Sequence, residues 1–145
     1  MERIKVKKVR DNAIIPTKGS EYSAGMDLYA CVGNPTIIMP HQTVKVPTGL
    51  AIELPHGYFG AIFARSGLAT NNGLRPANCV GVCDEDYRGE YIVALHNDTD
   101  VPQTINSMER IAQLVVMPYL PFEFEEVNEL SNTERNSNGF GSTGK

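Results

Sequence analysis

Short apolar segments separated by turn-forming residues constrain the fold of this chain more than any other feature of the sequence. They are rich in Ile, Val, Tyr and Phe and are bounded by Pro, Gly, Asn or Asp. The segments are TIIM (36–39), VKV (44–46), LAIEL (50–54), YFGAIFA (58–64), YIVAL (91–95) and IAQLVVM (111–117). Many short strands between closely spaced turns are typical of a β-sandwich or barrel. Only residues 66–71 favour a short helix, so the sequence predicts an all-β fold.

The composition changes after residue 127. The chain has 145 residues, which suits one domain with a substantial core. Residues 128–145 hold one aromatic residue among Asn, Ser, Thr, Gly and charged side chains, a composition that cannot supply a packed core. We predict a folded core over residues 1–127 and a flexible C-terminal tail over 128–145.

Charge and cysteine content exclude several classes of function. No apolar run approaches the roughly 18 residues of a membrane span, and the N-terminal MERIKVKKVR has no apolar centre, so we expect a cytoplasmic protein with no membrane partner. The net charge of −4 disfavours binding to nucleic-acid strands but permits a small nucleotide neutralised by a metal. Three cysteines without a C-x-x-C pair predict buried free thiols; they are Cys31, Cys79 and Cys83.

Two stretches place charged residues beside apolar strands. Asp27 interrupts AGMDLYA (24–30), where Asp is unfavourable in a strand interior. It is either a bulge or turn carboxylate bonded to backbone or a carboxylate near a cation, directly or through water. Arg65 and Ser66 follow an apolar strand in ARSGLA (64–69). A helix start, a guanidinium and a hydroxyl together suit a phosphate; the alternative is a surface arginine before a Ser N-cap.

A third stretch, NCVGVCDEDYRGEYIVAL (78–95), predicts a β-hairpin with its turn near residues 86–89. Strand alternation puts Asn78, Val80, Val82 and Asp84 on one face. The Asn78 amide offers a donor and an acceptor to a base edge, and the Asp84 carboxylate is suited to activating water. The alternative is a solvated turn.

Two further stretches carry isolated polar or aromatic groups. Gln113 is the polar residue inside the strand-like RIAQL (110–114), where it either contacts a ligand or satisfies a buried or edge backbone group. The tail, residues 135–145, combines glycines with hydroxyls and Phe140. Glycine N–H groups can turn toward an anion, and Phe140 can stack on a flat ring; the alternative is a disordered polar tail.

Together, in this order, the five stretches resemble the five motifs of the trimeric dUTP pyrophosphatase family, the dUTPases. The resemblance runs from AGMDLYA through ARSGLA, NCVGVCDEDYRGE and RIAQL to GFGSTG. It implies a distorted jelly-roll barrel or sandwich with one short helix, in a homotrimer with active sites between subunits. It also implies hydrolysis of dUTP to dUMP and pyrophosphate with Mg²⁺, which supplies dUMP for thymidylate synthesis and keeps uracil out of DNA.

The resemblance implies a role for each motif residue. Asp84 is the expected general base that orients water toward the α-phosphorus, and Tyr87 the expected platform under deoxyribose that leaves no room for a 2′-hydroxyl. Asp27 is expected to contact the metal through water, while the substrate phosphates hold the metal itself. The other expected substrate-binding residues are Asn78, Val82, Cys83 and Ile92 for uracil, Arg65, Ser66, Gly67 and Gln113 for the phosphates, and Arg135, Phe140, Gly141, Ser142 and Thr143 in a tail that closes over the site.

Three positions depart from the family pattern. Asn136 and Asn138 stand where the family usually has glycine, although Asn tolerates the left-handed backbone better than most residues. Cys83 precedes the expected base in place of an aliphatic residue or proline, and its oxidation or alkylation would block the site.

The alternatives to dUTP hydrolysis are the related dCTP deaminase branch, which uses a catalytic glutamate, and a nucleotide-sensing interaction module. An intact Asp84 and the tail favour dUTP hydrolysis over both.

Overall fold

The computed structural model describes residues 3–139. Within this range the chain forms twelve β-strands and one short α-helix, so the prediction of an all-β fold is confirmed. The elements are β1 (Lys5–Lys8), β2 (Thr17–Lys18), β3 (Met26–Tyr29), β4 (Thr36–Ile38), β5 (Thr43–Pro47), β6 (Leu50–Glu53), β7 (Tyr58–Phe63), α1 (Ser66–Asn72), β8 (Leu74–Pro76), β9 (Gly81–Cys83), β10 (Ile92–Asn97), β11 (Gln103–Ile105) and β12 (Arg110–Pro118).

All six apolar segments form strands. In β10, for example, the buried residues Val93, Leu95 and Asn97 alternate with more exposed ones, as expected where one face of a strand packs on a core. The strands β1, β2, β8 and β11 have two to four residues and no apolar run. They form by pairing with β6, β3, β10 and β4, which are distant or separately formed strands that a local pattern does not reveal.

The strands pair antiparallel in four sheets that enclose one core. The largest has the order β2-β3-β12-β7-β9, and a second has the order β5-β10-β8. Two-stranded sheets join β1 to β6 and β11 to β4. Leu28, Val46, Tyr91 and Ile111 are among the buried residues that these sheets share. This arrangement agrees with a jelly-roll-like sandwich.

The predicted hairpin over residues 78–95 is wrong in its pairing. β9 pairs with β7, with Cys83 opposite Gly60, whereas β10 pairs with β5 and β8. The two arms separate because the connection, residues 84–91, is much longer than a tight hairpin loop. It ends at Tyr91, which is buried and whose N–H donates to the Leu50 carbonyl at 2.8 Å.

The segment after β12 has neither helix nor strand up to residue 139, and its side chains are exposed. The division at residue 127 stays a prediction. The three cysteines are free, as predicted, but only Cys31 is buried; Cys83 is half-buried and Cys79 is exposed, so the expectation of burial is wrong for Cys79. Across residues 3–139, no helix has the length and apolar character to cross a membrane.

Candidate active site

A row of three residues crosses the large sheet and organises a cavity at one end of β7. Asp27 on β3 lies opposite Gln113 on β12, which lies opposite Phe63 at the end of β7. Arg65 follows two residues later, just before α1. The cavity has a volume of about 490 Å³, and we call it the Asp27 cavity. Its polar lining includes Asp27, Arg65, Ser66, Gly67, Arg110 and Gln113.

Asp27 holds two arginines in this cavity. Its Oδ1 accepts a hydrogen bond from Arg65 Nε at 2.7 Å, and its Oδ2 accepts one from Arg110 Nη1 at 3.3 Å. The Asp27 side chain is 14% exposed and the Arg65 side chain 28%, so the pair is shielded enough to fix the guanidinium. The alternative of a turn carboxylate bonded to backbone is therefore wrong. Two guanidiniums against one carboxylate leave a net positive corner.

Sequence reasoning missed Arg110. The pairing of β12 with β3 shifts register between Arg110 and Ala112, which marks a β-bulge. Bulges turn side chains away from their regular direction and occur often beside active sites. This bulge lets the first residue of β12 reach Asp27. No local signal in RIAQL announces it, because a bulge depends on the partner strand.

Gln113 and Ser66 complete the polar wall of the Asp27 cavity. Gln113 Nε2 donates to the Ala64 carbonyl at 2.9 Å, which secures the backbone just before Arg65. Gly25 packs against this amide so closely that an added Cβ would lie 3.3 Å from Gln113 Cδ. Arg65 is the N-cap of α1 and no side-chain capping bond is present. The alternative of a Ser N-cap is wrong; Ser66 is exposed and lines the cavity.

A second group of exposed residues lies before, on and after β9. Asn78, Val80, Val82 and Asp84 are all exposed, while Cys83 between them is half-buried. Only Val82 and Asp84 follow the predicted alternation, because Asn78 and Val80 lie in a turn before β9 where Cys79 has a φ of 61°. We call the surface formed by these four exposed residues the 78–84 face. Burial raises the pKa of the Cys83 thiol above its ordinary value. A protonated thiol is a weak nucleophile, which protects this residue from oxidation and alkylation at neutral pH.

Comparisons with known proteins bear on both groups. The family model described as dUTPase matches residues 11–144. The chain belongs to the dUTPase family. It is 46% identical over 142 residues to the deoxyuridine 5'-triphosphate nucleotidohydrolase of Hydrogenobaculum sp. (strain Y04AAS1), with 98% of each chain covered. The enzyme of the same name from Desulfitobacterium hafniense (strain DSM 10664 / DCB-2) is also 46% identical, with 98% of this chain and 96% of that one covered.

Solved dUTPase structures share the fold. A mutant dUTPase of Staphylococcus bacteriophage 80alpha, solved with dUpNHpp, superposes with a TM-score of 0.91 at 26% identity, and all of both chains is covered. A dUTPase from phage phi11 of S. aureus has a TM-score of 0.81 at 22% identity over 91% of this chain and all of that one. The second likeness shows the fold alone.

One dUTPase chain keeps the Asp27 cavity and Asp84 apart. Asp84 continues β9 beyond the Cys83–Gly60 pair, toward the start of β7, whereas Arg65 follows the end of β7. Six residues of extended chain separate these positions by about 20 Å. Arg65 also turns toward Asp27 on β3, on the side of β7 opposite β9. The described lining of the cavity includes none of Asn78, Asp84, Tyr87 and Ile92.

Glu85, the neighbour of Asp84, is engaged with the β6–β7 turn. One carboxylate oxygen hydrogen-bonds His56 Nδ1 at 2.8 Å, and the other accepts from Gly57 N–H at 2.6 Å. The hydrogen bond with His56, and to a smaller extent that from Gly57 N–H, lowers the pKa of Glu85 below its ordinary value. This carboxylate anchors the loop that carries Asp84, which argues against Glu85 as the catalytic glutamate of a deaminase.

The tail is described as far as Gly139. Asn136 has a φ of 44°, in the left-handed region, so the first Asn at a family glycine position adopts a backbone suited to glycine. Arg135 Nε donates to the Asn138 carbonyl at 2.9 Å, which closes a compact turn. The remaining tail positions predicted to bind substrate, Phe140, Gly141, Ser142 and Thr143, lie outside the described residues.

The described chain has no group of three or more His, Cys, Asp or Glu side chains placed to hold a metal ion. Asp27 is the carboxylate in the Asp27 cavity, and both of its oxygens contact arginines. Neither oxygen is free to ligate a metal directly, so a Mg²⁺ ion at this cavity would take its ligands from water and substrate phosphates.

Proposed function

We propose that this chain hydrolyses dUTP to dUMP and pyrophosphate, with Mg²⁺, at sites shared between subunits of a homotrimer. Membership of the dUTPase family and the identity to two deoxyuridine 5'-triphosphate nucleotidohydrolases over nearly their whole length support the reaction. The observation that supports the residue assignment is that one chain carries both a positive cavity around Arg65 and, apart from it, an exposed face that ends in Asp84.

The Asp27 cavity is the proposed phosphate site. Arg65 and Arg110 supply charge, while Ser66, Gly67 and Gln113 surround them with polar groups. A triphosphate is strongly anionic, so a net positive corner with bidentate donors suits it. Mg²⁺ bound to the phosphates would neutralise charge on the leaving pyrophosphate. Asp27 would contact that metal through water and keep Arg65 directed into the cavity.

Asp84 is the proposed general base. Its side chain is exposed, so water reaches it directly. It would accept a proton from water as the water oxygen bonds to the α-phosphorus and the bond to the bridging α–β oxygen breaks. Pyrophosphate is the leaving group, and the bridging oxygen stays with it. Glu85, held by His56 and Gly57, keeps the loop that carries the base in place.

Base recognition is proposed for the 78–84 face. The Asn78 amide and main-chain groups of Val82, Cys83 and Ile92 would read uracil by a fixed set of donors and acceptors. Cytosine swaps an acceptor for a donor at one edge, which would leave a buried partner unpaired. Tyr87 would lie under the deoxyribose. The tail residues Arg135, Phe140, Gly141, Ser142 and Thr143 would close the site.

A homotrimer explains why the two groups lie apart in one chain. About 20 Å of β7 separates the proposed base from Arg65, and a neighbouring copy that presents its 78–84 face to the Asp27 cavity would complete the site. Closed symmetry then repeats this contact at each interface. We place the reaction in the cytoplasm, and the three free thiols agree with a reducing compartment.

Product analysis tests the proposal. Purified protein is incubated with Mg²⁺ and with dUTP, UTP, dCTP or dTTP, and nucleotide monophosphate, pyrophosphate and ammonia are quantified. We expect dUMP and pyrophosphate from dUTP only. Replacing Asp84 by Asn should lower kcat by about 10²-fold or more while dUTP still binds. Ammonia release from dCTP, or unchanged turnover by Asp84→Asn, would contradict the assignment.

A further inference from the structure

The residue that holds Tyr87 in place is Glu90, three positions later. The Tyr87 hydroxyl donates to the Glu90 carbonyl at 3.0 Å. The ring lies directly on Gly89, where an added Cβ would be 2.6 Å from Tyr87 Cζ. The hydroxyl end of the ring therefore packs against Gly89, while Tyr87 is 45% exposed, so another part of the ring is free to meet a ligand.

The position of the Glu90 carbonyl is fixed by contacts of the Glu90 side chain and by contacts of the next residue, Tyr91. On the side-chain side, Glu90 Oε1 accepts from Arg10 Nε at 2.6 Å and from Gly49 N–H at 2.8 Å, while Oε2 accepts from Arg10 Nη2 at 2.9 Å. The Glu90 side chain is only 18% exposed. A bidentate guanidinium–carboxylate pair with a third backbone donor permits little movement.

The next residue fixes the other end of this peptide. Tyr91 is 1% exposed, its N–H donates to the Leu50 carbonyl at 2.8 Å, and its carbonyl accepts from the Thr48 hydroxyl at 2.7 Å. The peptide between Glu90 and Tyr91 is thus tied to the start of β6. The hydroxyl of Tyr87 therefore binds an acceptor that cannot follow the ring if the ring tilts.

We propose that Glu90, through its ion pair with Arg10, is a positioning residue that sets the discrimination between deoxyribose and ribose at Tyr87. This inference rests on the proposed role of Tyr87 as the sugar platform. Ribose differs from deoxyribose by one oxygen at the 2′-carbon. The exclusion of ribose therefore depends on the distance between the Tyr87 ring and the sugar, to within a fraction of the size of that oxygen. The hydroxyl end of the Tyr87 ring is held by Gly89 and by the Glu90 carbonyl. The ring therefore cannot move away from the sugar to make room for this oxygen.

The experiment compares kcat/KM for dUTP and for UTP. Glu90→Gln puts an amide NH₂ against Arg10 Nη2, donor against donor, and Arg10→Met removes the guanidinium while keeping the apolar stem. We expect each variant to lower the dUTP-to-UTP ratio of kcat/KM by about tenfold or more. Arg75→Met is the matched control, because Arg75 makes an equivalent bidentate pair with Asp98, at 2.6 and 3.0 Å, away from Tyr87. It should leave the ratio unchanged.

A double-mutant test separates positioning from general damage. Tyr87→Phe removes the hydroxyl that binds the Glu90 carbonyl, so adding Glu90→Gln to it should lower the ratio no further. A merely structural role for Glu90 would reduce both substrates by the same factor, and an unchanged ratio would overturn the inference. If Glu90→Gln does not fold, Arg10→Met gives the same readout.

Tyr87→Ala distinguishes this inference from the function on which it rests. If Tyr87→Ala leaves the dUTP-to-UTP ratio at the wild-type value, the platform role of Tyr87 fails. If Tyr87→Ala lowers the ratio but Glu90→Gln and Arg10→Met do not, only the positioning role of Glu90 fails.

Discussion

Replacing Asp27 by Asn tests the Asp27 cavity most sharply. Asn keeps a carbonyl oxygen for Arg65 Nε but loses the negative charge shared by two arginines. A hydrogen bond to a charged group contributes about 1.5–3 kcal/mol, and a neutral acceptor contributes about half as much. The Arg110 side chain is 52% exposed, so its contact adds only a few tenths of a kcal/mol. The free energy of unfolding should fall by about 1–2 kcal/mol.

The effect of Asp27→Asn on catalysis should exceed a general loss of stability. Without the charged partner, Arg65 is less firmly directed into the cavity, and kcat/KM for dUTP should fall by about tenfold, the equivalent of roughly 1.4 kcal/mol. Because Asp27 is proposed to contact Mg²⁺ through water, the Mg²⁺ concentration for half-maximal rate should rise. Denaturant unfolding and a Mg²⁺ titration of the steady-state rate measure the two effects.

Asp98→Asn is the matched control for this prediction. It weakens the bidentate pair with Arg75 outside the Asp27 cavity, so stability should decrease while kcat/KM stays at the wild-type value. If Asp27→Asn lowers stability but leaves kcat/KM within twofold of wild type, Asp27 supports the fold only. A lower kcat/KM with an unchanged Mg²⁺ requirement would refute the water-mediated contact with the metal.

Three further predictions follow from single contacts. The added Cβ of Gly25→Ala would collide with the Gln113 amide and displace it. We expect KM for dUTP to rise while the melting temperature changes little, and an unchanged KM would contradict the role of this amide. The hydrogen bond from Arg10, and to a smaller extent that from Gly49 N–H, lowers the pKa of Glu90 below its ordinary value of 4.5. The ionised Glu90 therefore stabilises the fold above about pH 4.5, and this stabilisation is lost as the pH falls below that value. Unfolding experiments should therefore show the difference between wild type and Glu90→Gln shrinking on acidification, and a constant difference would refute this. Iodoacetamide should modify Cys79 faster than Cys83 at pH 7.5, because burial raises the pKa of the Cys83 thiol; equal rates by mass spectrometry would contradict it.

The local pattern predicted those parts of the fold that depend on local chemistry. Apolar segments bounded by turn-forming residues located the long strands, and the stretch 66–71 located the helix, which extends one residue further. The Asp27 cavity was not visible as a unit, because β3 and β12 are far apart in sequence and pair only in the folded sheet. Asp27 and Gln113 were found singly, as polar groups in apolar strands, and Arg65 was found as an arginine before a helix start.

Two failures of prediction, the missed Arg110 and the wrong hairpin pairing, share one cause. Arg110 reaches the cavity through a bulge that exists only against β3, and the arms of the expected hairpin join different sheets because β9 finds β7 and β10 finds β5. Both depend on partner strands distant in sequence. The roles of Arg10 and Glu90 depend likewise on a contact across 80 residues of chain, for which neither residue carries a local signal.

Mixing two inactive variants tests the central claim that the site is shared between subunits. Asp84→Asn removes the proposed base and Arg65→Gln weakens the proposed phosphate site, so each protein alone should be nearly inactive with dUTP. In trimers refolded from an equal mixture, one site in four joins an intact Asp84 to an intact Arg65 of a neighbour, and we expect about one quarter of wild-type activity. Native mass spectrometry confirms the mixed composition. Mixed trimers without recovered activity would show that the base and the phosphate site do not come from different subunits.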